Sequence, residues 1–284
     1  MNEKYRPKTI EKIVLSNSIK TLIKSYIEKD NIPNLLFYSE SPGTGKTTLT
    51  HIITKTLNHE ILELNASKER GIDIIREVIE PFVRTYSING NKKCVLLSEC
   101  EQLISTSQKA LKDLMEGNFV KNVYYILTTN QKSKIIKPIK SRCVELDFSY
   151  PPKEKIKERL LFISKEEKLN ISIKDIELLI KSFYPDMRKM INSLSKVASG
   201  VDIKEAIGSE LNFYELLKEI DSLNSKQLYE KIEKISIVPF LHYLFKVYLG
   251  RGNNQGMNFV RLTLRDIMWG VDEKIAFIAN WVKK

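Results

Sequence analysis

Leu35-Leu36-Phe37-Tyr38-Ser39-Glu40-Ser41-Pro42-Gly43-Thr44-Gly45-Lys46-Thr47-Thr48 decides how this chain of 284 residues is to be read. Four apolar residues, a fitting length for a buried strand, lead into a loop of small residues. That loop opens onto Thr47–Leu57, whose apolar residues fall at helical spacing. Gly43 and Gly45 let the backbone turn its N–H groups inward, as a loop that wraps phosphates requires. Lys46 reaches the β- and γ-phosphates, Thr47 offers a hydroxyl to Mg2+, and the helix adds its positive N-terminal end. Glu40 stands where the general pattern has its first glycine. A carboxylate beside phosphates is unfavourable, so its side chain is expected to point away. Gly43 through Thr48 are thus the expected phosphate-binding loop (P-loop), with ATP and Mg2+ as its ligands.

Outward from the loop, the apolar stretches Glu60–Leu64, Cys94–Leu97 and Val123–Leu127 also read as short strands. Longer patterned segments such as Ser107–Glu116 lie between them. Strands alternating with helices predict an α/β fold, a parallel sheet covered on both faces. After Phe148 the pattern changes: Tyr150-Pro151-Pro152 interrupts it, and no later segment reads as a buried strand. Lys153–Lys168, Ile173–Phe183 and Met187–Val197 have helical spacing, with Asp186 placed to cap the last. Gly200 and Gly208 then precede an all-helical region from about Leu211. The expected domains are a P-loop module over 1–149 and two helical domains over 150–206 and 207–284.

A P-loop enzyme needs an acidic strand end beside the loop. Cys94-Val95-Leu96-Leu97 runs into Ser98-Glu99-Cys100-Glu101, where the Walker B pattern expects an aspartate and then a glutamate. Glu99 is placed to orient and deprotonate the attacking water. Ser98 occupies the aspartate's position; it can hold Mg2+ only weakly, through a metal-bound water, and brings no charge. Slower or more Mg2+-demanding hydrolysis is the expectation. The next strand ends at Thr128-Thr129-Asn130, and adjacent parallel strands end on one edge, which sets Asn130 beside the γ-phosphate.

Composition narrows the class. With 42% hydrophobic and 29% charged residues the chain is an ordinary globular protein, and no apolar run is long enough to span a membrane. Met1–Pro7 is polar and lacks the core of a signal peptide, so a cytoplasmic protein is expected (host cytoplasm if viral). Three cysteines without a C-x-x-C pair support neither a disulfide framework nor a zinc site. The net charge of +11 favours polyanions. Lysine enrichment alongside many Ile and Asn also reflects an AT-rich genome, so the charge gains meaning only where a patch is located.

One such location is Ser67-Lys68-Glu69-Arg70-Gly71-Ile72-Asp73, which precedes an expected helix over Ile72–Glu80. Helix N-terminal N–H groups with Arg70 and Arg76 make a phosphate cradle.

Lys4-Tyr5-Arg6-Pro7, the P-loop, Leu64-Asn65-Ala66-Ser67, Arg70-Gly71-Ile72-Asp73, Asn130, Lys137-Pro138-Ile139-Lys140-Ser141-Arg142-Cys143 and Asp186-Met187-Arg188-Lys189 occur in this order. Together they resemble the AAA+ sliding-clamp loader ATPases: the small subunits of replication factor C and, more closely, the large clamp-loader subunit of T-even-like bacteriophages. The P-loop spelling and Gly252-Asn253-Asn254-Gln255 favour the phage form. The resemblance is dense over residues 1–200 and thin beyond.

The resemblance implies a DNA-dependent, clamp-stimulated ATP hydrolase of DNA replication. It implies that Asn2, Glu3, Lys4, Tyr5 and Val14 line the adenine pocket, that Asn130 is sensor 1, and that Arg188 is sensor 2, touching the γ-phosphate within its own subunit. Arg142 becomes an arginine finger that completes a neighbour's site. Arg70, Ile72 and Arg76 track the template backbone inside a ring, and Gln108 couples the DNA and ATP sites. The implied partners are a sliding clamp, primer–template DNA and other clamp-loader subunits, a hetero-oligomer forming a pentamer of this chain with a smaller subunit. No membrane is implied. Aromatic stretches such as Phe240-Leu241-His242-Tyr243-Leu244-Phe245 read as helix core, here of the collar. Two other readings fit part of the pattern: another AAA+ loader, such as a helicase loader, and a nucleotide-binding structural subunit with weak hydrolysis, suggested by Ser98.

Overall fold

A computed structural model describes residues 1–87, 90–117, 122–208, 216, 220, 223, 225–232, 237–250 and 252–282. The chain forms two compact units, Met1–Ser199 and Gly200–Lys284.

The first unit is built on five parallel strands: β1 (Leu35–Tyr38), β2 (Glu60–Asn65), β3 (Lys93–Ser98), β4 (Val123–Thr129) and β5 (Val144–Asp147). They lie in the order β2-β3-β4-β1-β5. The two-residue period of a strand divides the core between the faces. Leu35, Phe37, Leu96, Tyr124 and Ile126 pack on one face, with Ile23, Leu49 and Ile53. Leu36, Val95, Leu97, Tyr125 and Leu127 pack on the other, with Ile75, Leu111 and Met115. Burial on both faces is why these central strands read as unbroken apolar runs.

β1, β3 and β4 were legible in that way, and the edge strand β2, none of whose residues is fully buried, by its Ile61, Leu62 and Leu64; β5 was not legible. It is an edge strand paired with β1 alone, in which Glu145 and Asp147 are exposed while Leu146 is buried. Its side chains alternate, and charges on an edge strand hide the apolar signal while guarding the free edge.

The helices of this unit are α1 (Asn17–Glu28), α2 (Lys46–Thr56), α3 (Glu80–Arg84), α4 (Ser105–Glu116), α5 (Lys137–Lys140), α6 (Lys153–Glu166), α7 (Ile173–Phe183) and α8 (Met187–Ala198). The helix expected over Ile72–Glu80 is a correction. Residues Ile74–Ile79 form a π-helical turn, and an α-helix follows at Glu80–Arg84. Pro81 is the cause: without an N–H it cannot bond to the carbonyl four residues back, and its ring crowds that carbonyl. The Glu80 N–H accordingly reaches Ile75 O. Asp186 caps α8 as expected, its carboxylate accepting the N–H groups of Arg188 at 3.0 Å and Lys189 at 3.1 Å.

All described elements of the second unit are helical: α9 (Ile203–Ile207), then Ser225–Ile232, Ile237–Gly250, Asn254–Met268 and Glu273–Val282. Phe240, Leu241, Leu244, Phe259 and Phe277 form its core, while Phe245 stays exposed. Residues 209–215, where the collar reading began at about Leu211, lie outside the described residues. Among the described residues no helix is long and apolar enough to cross a membrane.

Candidate nucleotide-binding site

The order β3-β4-β1 brings three strand ends to one edge of the sheet. Tyr38 pairs with Thr129 and Asn65 with Ser98, so the P-loop, Asn130 and Glu99 leave the sheet side by side. Ligand sites of open parallel sheets form at this edge. A cavity of about 430 Å3 opens there, with Gly43 through Thr48 forming its floor beside Ser98, Glu99, Thr128 and Asn130.

Gly43 and Gly45 have φ of +70° and +97°, values that favour glycine. Gly45 is the N-cap of α2 and makes no side-chain cap hydrogen bond, leaving the first N–H groups of the helix to the cavity. The Lys46 ammonium is buried and spends its donors inside the site. It donates to Ser39 Oγ at 2.8 Å, to Asn130 Oδ1 at 2.9 Å and to Ser41 O at 3.3 Å. Burial pulls its pKa down to about 8, against Glu101, whose charge favours the ammonium. Anionic phosphates are the ligand such a desolvated cation suits.

Glu99 lines the cavity from a left-handed conformation, φ 55° and ψ 40°. Such a backbone costs a non-glycine residue of order 1 kcal/mol or more, and strain of this kind concentrates at functional sites. Ser98 also lines the cavity, and Thr47 faces it from the start of α2. An uncapped helix end, a buried ammonium and two hydroxyls beside a carboxylate fit a nucleotide polyphosphate with its Mg2+. Glu40 is exposed and absent from the lining, as expected.

The N-terminal segment closes the other side. Asn2, Glu3, Tyr5 and Val14 line the cavity; Lys4 does not, and donates to Glu167 Oε1 at 2.6 Å. Three further contacts tie this segment to the helices after the sheet. Tyr5 OH donates to Glu167 at 2.5 Å, Arg159 Nη2 donates to Tyr5 O at 2.6 Å, and Asn2 donates to Asn192. Arg159 also lines the cavity, and its burial lowers its pKa. It was not anticipated, because nothing in the local sequence of α6 sets it apart from its neighbouring lysines. Arg188 lines the cavity from the first turn of α8.

The remaining residues sit elsewhere. Arg142 is outside the cavity, paired with Glu116 and donating to Pro138 O at 2.7 Å. Arg70 and Arg76 are exposed, with Ile72 partly so. The main chain of Arg70 is latched to α4: its carbonyl accepts Ser107 Oγ at 3.0 Å and Ile104 N at 3.3 Å. Gln108, one residue on, is buried and fully used. Its Nε2 donates to Leu103 O at 3.2 Å and Lys134 O at 3.1 Å, and its Oε1 accepts Ile136 N at 3.0 Å. Ser39 and Glu101 are also unanticipated: Ser39 meets Lys46 only when the loop folds back on itself, and Glu101 meets Asn130 only across strand ends.

Residues 35–150 match the ATPase family associated with various cellular activities (AAA). The chain is 36% identical over 237 residues to replication factor C small subunit 2 of Pyrobaculum aerophilum, covering 81% of this chain and 73% of that protein. It is 40% identical over 210 residues to the replication factor C small subunit of Archaeoglobus fulgidus, covering 72% of this chain. It spans 65% of the length of that relative and 61% of small subunit 1 of Pyrobaculum islandicum. Among solved structures, the RuvB Holliday junction branch migration motor of Thermotoga maritima superposes with a TM-score of 0.57 at 16% identity, over 84% of this chain and 85% of that one. That likeness concerns the fold.

Proposed function

Because this chain belongs to the replication factor C small subunits, within the AAA family of ATPases, we propose that it is an ATPase subunit of a sliding-clamp loader. In this reading it binds and hydrolyses ATP to open a ring-shaped clamp and place it on primer–template DNA during replication. The P-loop amides and Lys46 hold the phosphates, Glu99 orients and deprotonates the attacking water, and Asn130 and Arg188 sense the γ-phosphate. Asn2, Glu3, Tyr5 and Val14 enclose the base, with Lys4 acting from behind through Glu167. Thr47, with Ser98 through a water, would hold Mg2+, whose charge offsets that of the phosphates.

The observation that carries this reading is a division of labour across the fold. Lys46, Glu99 and Asn130 converge on one sheet edge, whereas Arg142 stands outside that cavity. A guanidinium so placed, once it exchanges Glu116 for a phosphate, completes the site of a neighbouring subunit, so that hydrolysis requires a closed ring. Residues 150–206 then serve as the lid and 207–284 as the collar that holds a pentameric ring of this chain and a smaller subunit. Arg70, Ile72 and Arg76 face template phosphates, and the latch from Arg70 to α4 gives Gln108 a route for coupling.

Steady-state ATP hydrolysis by the reconstituted complex, with and without clamp and primed DNA, tests the proposal. Strong joint stimulation is expected; indifference to both overturns it. Ser98 favours a second reading, a ring subunit that binds nucleotide structurally and hydrolyses little. Turnover in the reconstituted complex that is insensitive to Glu99→Gln would select that reading.

A further inference from the structure

Glu101 is a carboxylate in a place where packing alone calls for none. It lies on the 3-10 turn Cys100–Gln102 that follows Glu99, only 8% exposed, between the buried Cys100 and Leu103. Its Oε1 accepts the N–H of Asn130 at 3.1 Å. Its Oε2 is buried with no hydrogen-bond donor among the described residues. A buried carboxylate with one oxygen unsatisfied costs free energy that an apolar residue would not. Glu101 is also absent from the cavity lining.

Asn130 is where β4 leaves the sheet, and beyond that point the ladder no longer holds the chain. The preceding carbonyl, Thr129 O, accepts Ser39 N at 3.2 Å, and the following N–H, of Gln131, turns back to Thr129 Oγ1 at 3.0 Å. The Asn130 N–H between them is held, among the described residues, by Glu101 alone. A bond to a carboxylate is stronger and more directional than one to a neutral acceptor. The side chain of Asn130 then accepts from Lys46, and Lys46 donates to Ser39. One hydrogen-bonded chain therefore crosses the ends of three strands, and Glu101 is its buried anchor.

We propose that Glu101 is a positioning residue for the ATPase site: by clamping the Asn130 main chain, it fixes the side chain that reads the γ-phosphate. The proposal rests on the reading of Asn130 as a γ-phosphate sensor. Glu101 touches no reacting atom; its charge also favours the Lys46 ammonium, which serves both nucleotides, so loss of the Asn130 clamp is read in discrimination between nucleotides more than in affinity for both.

The test measures equilibrium affinities for ATPγS and for ADP in the full chain, for wild type, Glu101→Leu, Glu101→Gln, Asn130→Ala and the Leu/Ala double variant. The ratio of the two affinities reports γ-phosphate recognition without needing turnover, and a general loosening that weakens both nucleotides equally does not move it. Glu101→Leu is expected to lower the ratio about tenfold, the scale of a lost charge-assisted hydrogen bond. Glu101→Gln retains an acceptor oxygen and is expected to stay within about threefold of wild type. The double variant is expected to match Asn130→Ala within about twofold, since residues acting through one another are not additive. Glu101→Ala carries the same expectation if leucine does not fit. A wild-type ratio in Glu101→Leu, a double variant that loses the product of the two single effects, or equal wild-type affinities for the two nucleotides would each overturn the proposal. Failure of the clamp-loader reading shows separately, as wild-type turnover in the assembled ring indifferent to clamp and primed DNA.

Discussion

Asp186 lies directly against Gly43, close enough that a β-carbon on Gly43 would collide with the Asp186 carboxylate. The residue that caps α8, and so places Arg188, is thereby keyed to the phosphate-binding loop. The contact between the α8 cap and the loop depends on the absence of one methyl group.

Gly43→Ala should fail on two counts. The residue has φ of +70°, which costs an alanine roughly 1–2 kcal/mol. The new β-carbon also displaces Asp186, at the expense of a cap worth about 1 kcal/mol. We predict at least tenfold weaker ADP binding with a fall in Tm of about 4–8 °C. Asp186→Ala in the Gly43→Ala background should recover part of the affinity, because it removes the collision. Titration of ADP into the three proteins decides this, and no recovery in the double variant rejects the collision.

Lys46 predicts a pH dependence with a definite sign. Its folded pKa of about 8 lies below the ordinary 10.5. Below pH 8 the group is charged both folded and unfolded, and the cost of burying that charge is fully present. As the pH rises from 8 to 10.5 the folded chain sheds the proton that the unfolded chain keeps, and the cost is relieved. Phosphates reverse the shift, so ADP binding near pH 9 should take up close to one proton, and affinity should fall up to about tenfold per pH unit above 8. Calorimetry in two buffers of different ionisation enthalpy measures the uptake. Uptake that persists in Lys46→Met would assign it to another group.

Ser98 ends β3 beside the cavity, its carbonyl accepting Ala66 N at 2.9 Å while the hydroxyl brings no charge. Ser98→Asp restores a carboxylate at that point. Hard anionic oxygens raise Mg2+ affinity, and the half-maximal Mg2+ concentration for turnover should drop by about tenfold. Steady-state hydrolysis across a Mg2+ series checks this; an unchanged or higher requirement refutes it.

What was legible in the sequence follows from which forces act locally. The P-loop needs particular residues in one short run, strands buried on both faces advertise themselves as apolar blocks, and the Asp186 cap acts within three residues of itself. Edge strand β5 was hidden because its charges face outward. Ser39, Glu101 and Arg159 were hidden because their roles come from partners 7, 29 and 154 positions away. Pro81 was in plain view, yet its effect was missed because helical spacing alone does not register a missing N–H.

Gln108 spends three hydrogen bonds on main-chain atoms of Leu103, Lys134 and Ile136. It joins the turn after Glu99 to the segment that enters α5 and ends at Arg142. Gln108→Leu keeps the bulk and strands three buried polar groups, each costing about 1–3 kcal/mol if water cannot reach it. We predict a Tm loss of several degrees. Hydrolysis in the assembled ring should also lose its stimulation by primed DNA while keeping its basal rate within about threefold. A variant that is destabilised yet fully stimulated would make Gln108 a structural rivet only.

Arg142 gives the sharpest separation between a subunit and its ring. Its pairing with Glu116 joins two partly exposed side chains, and such pairs contribute about 0–1 kcal/mol. Arg142→Ala should therefore leave Tm within about 2 °C and leave the affinity of the isolated chain for ADP unchanged. Hydrolysis by the reconstituted ring should fall by about 10³-fold or more, the scale of a guanidinium supplied in trans. Mixing Arg142→Ala with a Lys46→Ala chain sharpens the outcome. An interface that pairs a wild-type P-loop with a wild-type Arg142 regains turnover only if the arginine acts across subunits. Activity restored in mixed rings supports the trans role, whereas mixtures as inactive as their components confine Arg142 to its own chain.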